Sequence, residues 1–156
     1  MSFTFPIRVY WEDTDAGGIV FYANYLKFME RARTEWLRSV GIEQQLLRKS
    51  TGGMFVVTET QLKYLHPARL DDLLDVSVQI IETGRASLKI HQKISLQPNE
   101  YERWLLSNRE RLSSQPAEQS HVIAQLVCEG TISIAWVDAH TLKPGRIPVS
   151  VMEALN

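Results

Sequence analysis

The feature that most constrains the fold is one helical apolar pattern among several strand-like ones. Apolar residues recur at helical spacing from Tyr22 to Val40, and Gly41 marks the predicted end of that helix. Five other stretches alternate apolar and polar residues or are rich in β-branched and aromatic residues, which is typical of strands. They lie at 7–11, 54–65, 73–82, 86–96 and 121–137. A short turn at Gly84 joins two of them, so we expect an α+β domain with about five antiparallel strands and one long helix.

The length and pattern predict a single domain over residues 1–156, with one polar insertion at about 97–120. This segment interrupts an apparent hairpin and contains Trp104 and Leu105. Two interpretations stay open, a short helix near 101–111 or a loose extension. Its polar composition and its place at a hairpin tip predict that the fold does not require it. In the strand that follows, Gly130 is interpreted as a possible bulge.

Charge and composition exclude several classes of protein. The chain has 17 Lys and Arg against 18 Asp and Glu, so it lacks the basic excess of a nucleic-acid-binding protein. No apolar run approaches the roughly 20 residues needed to span a bilayer, and the N-terminus has no signal-peptide pattern. The single cysteine, Cys128, cannot form an internal disulfide, and we interpret it as a buried core residue. These features predict a cytoplasmic protein.

The segment "WEDTDAGG" places negative charge at a flexible turn just before the helix. Gly17 and Gly18 permit positive φ and close approach of another group to the backbone. A helix N-terminus offers unpaired N–H groups that suit an anion or a polarised carbonyl oxygen. A carboxylate beside those amides can activate water or attack a carbonyl carbon while the amides hold the oxyanion. The plainer alternative is that the acidic residues form a cap or an Asx-turn. The three carboxylates are Glu12, Asp13 and Asp15.

Two segments resemble a known family. "RVYWEDTDAGGIVFYANYLKFMERARTEWL" resembles the signature of the 4-hydroxybenzoyl-CoA thioesterase family of hotdog-fold proteins, and "YLHPARLDDLLDV" (64–76) resembles its second recurrent segment. The body of the chain, at about 6–96 and 121–149, is most similar to the Tol–Pal-associated acyl-CoA thioesterases of bacteria. The resemblance implies a curved antiparallel sheet wrapped around one long central helix. The strand and helix patterns lead independently to the same arrangement.

The resemblance also implies which residues form the site. The family's catalytic carboxylate falls on Asp15, and its carbonyl-polarising backbone amide, at the start of the helix, falls on Tyr22. Coenzyme contacts in the aromatic-CoA branch lie near the turn between the third and fourth strands. The residues implied to bind the substrate are therefore Gly17, Gly18, Arg85 and Ser87. Asp13 is interpreted as a turn or hydrogen-bonding residue.

The histidines indicate no metal site. Those at 66, 91, 121 and 140 are scattered without metal-ligand spacing. Many Tol–Pal-associated members carry a histidine where this chain has Tyr22. If that histidine assists chemistry in them, this chain must depend on Asp15 and backbone amides. His66 precedes Pro67 in a loop, and we prefer a loop role for it over an approach to a site across a subunit interface.

Together the pattern and the resemblance predict an acyl-CoA thioesterase that releases a carboxylic acid and free CoA. Asp15 would be a general base on water or a nucleophile that forms a mixed anhydride, and both routes stay open. No metal or redox cofactor is expected, because the coenzyme is part of the substrate. The resemblance implies a homo-oligomer, either a dimer or a dimer of dimers, with active sites at the dimer interface.

Two alternatives remain. One is a protein that binds an acyl carrier protein or a membrane-biogenesis partner with little hydrolysis, favoured only by the charged insertion. The other is a hotdog-fold dehydratase, which is weaker because that chemistry normally uses a histidine paired with a carboxylate. Acyl-chain length, aromatic against aliphatic preference, and CoA against acyl carrier protein as the carrier all stay open at this point.

Overall fold

The computed structural model describes residues 3–97 and 125–155. In chain order the elements are β1 (Phe3–Arg8), a short 3-10 helix (Trp11–Asp13), α1 (Asn24–Ser39), α2 (Gln44–Thr51), β2 (Gly53–Tyr64), β3 (Leu73–Thr83), β4 (Ser87–Gln97), β5 (Gln125–Asp138) and α3 (Val149–Leu155). The strands form one five-stranded antiparallel sheet in the order β1-β3-β4-β5-β2. Helix α1 packs on the sheet at β1 and β3. This architecture confirms the expected α+β hotdog fold.

Helix α1 begins two residues later than the apolar pattern indicates. Residues 21–23 form a turn instead, in which the Asn24 N–H donates to the Phe21 carbonyl oxygen at 2.8 Å. Tyr22 therefore precedes the helix rather than lying within it. The buried face of α1 recurs every three or four residues, as an amphipathic helix requires. Its apolar members are Tyr25, Phe28, Met29, Ala32, Trp36 and Leu37.

The end of α1 agrees with the prediction. Gly41 has a φ of 82°, the left-handed conformation that glycine adopts without strain. The Ile42 N–H donates to the Leu37 carbonyl oxygen at 2.8 Å, and the Gly41 N–H donates to the Arg38 carbonyl oxygen at 2.9 Å. These two bonds form a Schellman motif, which satisfies the last carbonyl groups and turns the chain toward α2.

The core lies between α1 and the apolar face of the sheet. Side chains alternate along β3 and β4, so every second residue points into the core, as the period of a strand dictates. Phe28 and Met29 of α1 are completely buried against this face. The fully or almost fully buried apolar residues of the sheet include Leu74, Val76, Val78, Leu88, Ile90, Ile94, Val127, Cys128 and Ile132.

The first strand differs from the predicted 7–11. It spans Phe3–Arg8, and residues 10–13 fold into a tight turn. In that turn an Asp13 carboxylate oxygen accepts the Tyr10 N–H at 2.8 Å, while the Asp13 N–H donates to the Tyr10 carbonyl oxygen at 3.0 Å. Trp11 is consequently 79% exposed rather than buried. Pro6 is tolerated because β1 is an edge strand of the sheet.

The interpretation of Gly130 as a bulge is wrong. Gly130 stays in register with both neighbouring strands. The irregularity between β4 and β5 is at Val127. Ile94 pairs with Cys128 and Ser95 pairs with Leu126, which leaves Val127 without a partner on β4. A Cβ at Gly130 would lie 2.1 Å from the Gln61 carbonyl oxygen, so close approach of the β2 backbone requires glycine here.

Some predictions fall outside the described residues. Apart from Gln97, which ends β4, the predicted insertion at 97–120 is not among them, and neither is the start of the predicted strand at 121–137. The apolar patterns give no indication of α2 and α3, which have only eight and seven residues. In the part of the chain that is described, no helix is long and apolar enough to cross a membrane.

Candidate active site

The turn that carries Asp15 is closed by its own backbone. The Asp15 N–H donates to the Ile19 carbonyl oxygen at 2.9 Å, and the Gly18 N–H donates to the Asp15 carbonyl oxygen at 3.0 Å. Gly18 has a φ of 75°, so a side chain at this position would strain the turn. Thr14 and Val20 form an antiparallel bridge just outside these bonds. The turn therefore holds Asp15 at an exposed, well-defined position.

The Asp15 carboxylate has one oxygen bound locally. Its Oδ1 accepts the Gly17 N–H at 2.8 Å, which is an Asx-turn and fixes the direction of the side chain. The side chain is exposed. Over residues 3–97 and 125–155, no hydrogen bond or ion pair engages Oδ2. The Asx-turn alternative is thus correct as local structure, and it leaves an oxygen that can accept a proton or attack a carbon.

Asp13 has a different environment. Its side chain is only 3% exposed, and its Oδ2 accepts the Tyr10 N–H. Its carbonyl oxygen accepts the Phe21 N–H and an Asn24 side-chain N–H, each at 2.9 Å. As predicted, Asp13 is a hydrogen-bonding residue, and it ties the acidic turn to the start of α1.

The start of α1 has free amides. Among the described residues, the N–H groups of Tyr22 and Ala23 have no hydrogen-bond acceptor. No side chain caps the helix, and its first turn contains no acidic residue. A helix N-terminus carries about half a positive charge, which attracts an anion to these amides. An oxyanion is therefore an appropriate partner for the Tyr22 N–H.

A cleft of about 250 Å³ opens beside Tyr22. The last residues of the Asp15 turn form one side, and the loop after β2 forms the other. The lining is mostly apolar and aromatic, with Tyr22 63% exposed. The lining residues are Ile19, Val20, Tyr22, Tyr25, Tyr64, Leu65, His66 and Pro67. Lining residues from both segments quoted for the family resemblance therefore meet in space, although residues 26–63 separate these two parts of the lining in the sequence.

Two tyrosine hydroxyl groups bind the backbone around the cleft. The Tyr64 hydroxyl donates to the Tyr22 carbonyl oxygen at 3.2 Å. The buried Tyr25 hydroxyl accepts the Ala68 N–H at 3.0 Å. Burial raises the pKa of Tyr25, and desolvation also raises the pKa of Tyr64. Both hydroxyls therefore stay protonated at neutral pH and serve as structural hydrogen-bonding groups. Sequence reasoning assigned neither tyrosine a role at the cleft, because the pairing of β2 with β5 places Tyr64 and the packing of α1 places Tyr25.

Arg85 and Ser87 lie away from this cleft. They flank the start of β4, next to the turn after β3. The Asp15 turn follows β1, whose last residue pairs with Leu73 at the opposite end of β3. An 11-residue strand spans roughly 35 Å. Asp15, Gly17 and Gly18 therefore share one turn shortly before Tyr22, which lines the cleft, whereas Arg85 and Ser87 lie at the end of β3 remote from this turn in the same chain.

Three further side chains have clear positions. His66 lines the cleft in its own chain, which sequence reasoning did not expect. Cys128 is completely buried, and burial raises the pKa of its thiol to about 11, so it is a core residue rather than a nucleophile. The Asp72 carboxylate accepts the Arg69 N–H at 2.7 Å and shapes the loop after Pro67. No group of three or more described His, Cys, Asp or Glu residues is arranged to hold a metal ion.

Comparison with known proteins places the chain in a family. Residues 17–102 match the model of the Thioesterase superfamily. The chain is 36% identical to the acyl-CoA thioesterase YbgC of Haemophilus influenzae, over 99% of this chain and 95% of that protein. It is 35% identical to the acyl-CoA thioester hydrolase YbgC of Escherichia coli O6:H1, over 96% of this chain and 92% of that protein.

A solved structure supports the fold. The 4-hydroxybenzoyl-CoA thioesterase from Pseudomonas sp. strain CBS-3 superposes with a TM-score of 0.77 at 20% identity, covering 98% of each chain. At this identity the likeness concerns the fold alone. The family model and the full-length relatives establish membership of a family as well as the fold. The chain belongs to the Thioesterase superfamily of hotdog-fold proteins.

Proposed function

We propose that the chain is a cytoplasmic acyl-CoA thioesterase that hydrolyses the thioester to a carboxylic acid and free CoA. One observation carries the proposal: an Asp15 carboxylate with an unengaged oxygen stands on the turn that leads into a cleft beside the unpaired Tyr22 amide. A base or nucleophile next to an oxyanion-binding amide is the arrangement that acyl transfer requires. The names of the full-length relatives point to the same reaction.

In the first route Asp15 acts as a general base. The thioester carbonyl oxygen binds the Tyr22 N–H, and Asp15 removes a proton from the attacking water. The tetrahedral oxyanion is stabilised by the same amide and by the positive end of α1. Removal of one such donor in other enzymes costs about 10²–10³ in kcat. Collapse of the intermediate then expels the CoA sulfur.

In the second route Asp15 is the nucleophile. Its unengaged oxygen attacks the carbonyl carbon, expels the thiolate and forms a mixed anhydride that water hydrolyses. The exposed position of Asp15 suits both routes. Neither route as proposed uses a metal or a redox cofactor, because the chain's own carboxylate and amides act on the substrate.

We further propose that the active site is completed by a second copy of the chain. Strand β2 is at the edge of the sheet, and residues 57–61 are exposed, including Val57 at 53%. An exposed strand edge has unpaired backbone groups that another chain can cover. A second copy would also supply Arg85 and Ser87, which lie far from Asp15 in their own chain. The expected assembly is a dimer or a dimer of dimers.

Turnover on a panel of acyl-CoAs and the matching acyl carrier protein thioesters tests this function. With the wild-type protein, the rate of free-thiol release should be highest for one acyl group on one of the two carriers. Absence of turnover on every member would contradict the thioesterase and favour a binding role. Light scattering should give a mass of at least two chains at micromolar concentration, and a stable monomer would contradict the shared site.

A further inference from the structure

The cleft beside Tyr22 contains a side chain to which the proposed mechanism gives no task. His66 is exposed and lines the cleft opposite the residues that follow the Asp15 turn. Its imidazole has no hydrogen bond or ion pair with any residue in 3–97 or 125–155. None of the other residues that line the cleft is acidic or basic. His66 therefore contributes the sole imidazole among the residues that line this cleft, and imidazole is a common general acid or base in enzymes.

The backbone around His66 is held firmly. The N–H groups of Leu65 and His66 both donate to the Val127 carbonyl oxygen, at 2.9 and 3.1 Å. Pro67 follows and restricts the chain further. On the other side, the Ala68 carbonyl oxygen accepts the Val20 N–H at 2.8 Å. The loop that carries the imidazole is thus fixed both to β5 and to Val20, which follows the Asp15 turn, and this is the pre-organisation a catalytic group needs.

The reaction also needs a proton donor for the departing CoA sulfur. When the tetrahedral intermediate collapses, the C–S bond breaks and its electron pair stays on the CoA sulfur. A protonated group near that sulfur would neutralise the developing thiolate. The carboxylate of Asp15 serves the attack instead. The tyrosine hydroxyls of Tyr25 and Tyr64 are engaged with the backbone.

From this arrangement we infer that His66 is a catalytic residue, the general acid that protonates the departing sulfur of the thioester. The inference rests on the proposed thioesterase function. Asp15 takes one proton from water, the hydroxyl group stays on the acyl carbon, and the His66 imidazolium gives its proton to sulfur. The products are the carboxylic acid and the CoA thiol. Asp15 then loses its proton to solvent and His66 regains one, so both side chains return to their starting state.

A leaving-group comparison tests this role. The wild type, His66→Gln and the control His140→Gln are assayed on two thioesters with the same acyl group, a CoA thioester and a thionitrobenzoate thioester. An alkyl thiolate needs protonation, whereas an aryl thiolate is a weak base and leaves without it. His66→Gln should lose about two orders of magnitude in kcat on the CoA thioester and little on the aryl thioester. His140 lies on an exposed turn after β5, so His140→Gln should match the wild type on both.

The outcomes separate the two proposals. If the wild type hydrolyses neither thioester, the thioesterase function fails and this inference fails with it. If the wild type is active and His66→Gln loses equal activity on both thioesters, or none on either, the general-acid role is overturned while the function stands. The variant His66→Asn introduces a smaller side chain than His66→Gln, and it should show the same loss of kcat on the CoA thioester with little loss on the aryl thioester. A melting temperature close to that of the wild type in both variants excludes misfolding as the cause.

Discussion

The Tyr64 hydroxyl donates to the Tyr22 carbonyl oxygen at 3.2 Å, so the last residue of β2 is bound to a residue of the turn that leads into α1. Tyr22 also contributes the amide proposed to bind the oxyanion. The aromatic rings of Tyr22 and Tyr64 meet edge to face with centroids 6.3 Å apart. A contact between the end of β2 and the segment before α1 therefore holds the backbone at Tyr22, the residue that carries the proposed catalytic amide.

Tyr64→Phe should reduce kcat while leaving the fold intact. It removes only the hydroxyl, and a hydrogen bond of this kind contributes about 1 kcal/mol, which corresponds to roughly a fivefold change in rate. Tyr25→Phe is the matched comparison, because it leaves the buried Ala68 N–H unpaired and should lower the melting temperature by several degrees. Kinetics and thermal melts on both variants measure the contrast. A Tyr64→Phe enzyme with unchanged kcat would show that this bond does not position the amide.

The two glycines of the acidic turn should respond differently to alanine. Gly18→Ala places a side chain at a φ of 75° with no atom nearby, so only backbone strain is added, about 1–2 kcal/mol of stability. Gly17→Ala has no such strain, but its Cβ would lie 3.1 Å from Asp15 Oδ1 and press on the carboxylate. Gly17→Ala should therefore lose kcat, by roughly tenfold, with little change in unfolding free energy. Denaturant titrations beside steady-state assays give both quantities, and full activity in Gly17→Ala would show that the carboxylate position is not critical.

Gly130→Ala should be among the most destabilising single changes in the sheet. The new Cβ would meet the Gln61 carbonyl oxygen at 2.1 Å, and backbone on both strands would have to move. We expect a loss of about 3 kcal/mol or more in unfolding free energy, at or beyond the upper end for overpacking. Gly145→Ala is the control, since its nearest neighbour would be an ordinary contact at 3.6 Å. Equal stability of the two variants in urea would contradict the close approach of β2 and β5.

The sequence alone was sufficient to predict features that depend on residues close to one another in the chain. The helix stop at Gly41 and the turn around Asp15 are formed by residues within a few positions of one another, so pattern and turn chemistry identify them. The position of His66 follows from the register between β2 and β5, and local patterns do not contain that register. The position of Tyr64 beside the cleft was not predicted for the same reason. Arg85 was implied by the family resemblance, and β3 separates it from Asp15 within one chain.

The central claim is that Asp15 is the base or nucleophile of a thioesterase, and the kcat of Asp15→Asn tests it most directly. An asparagine keeps the shape and can still accept the Gly17 N–H, but it has no carboxylate basicity. On the acyl-CoA that the wild type prefers, kcat should fall by at least about 100-fold, with KM and melting temperature little changed. Glu12→Gln, which removes an exposed carboxylate from the same segment, should retain wild-type kcat. An Asp15→Asn enzyme with near wild-type kcat would contradict the account.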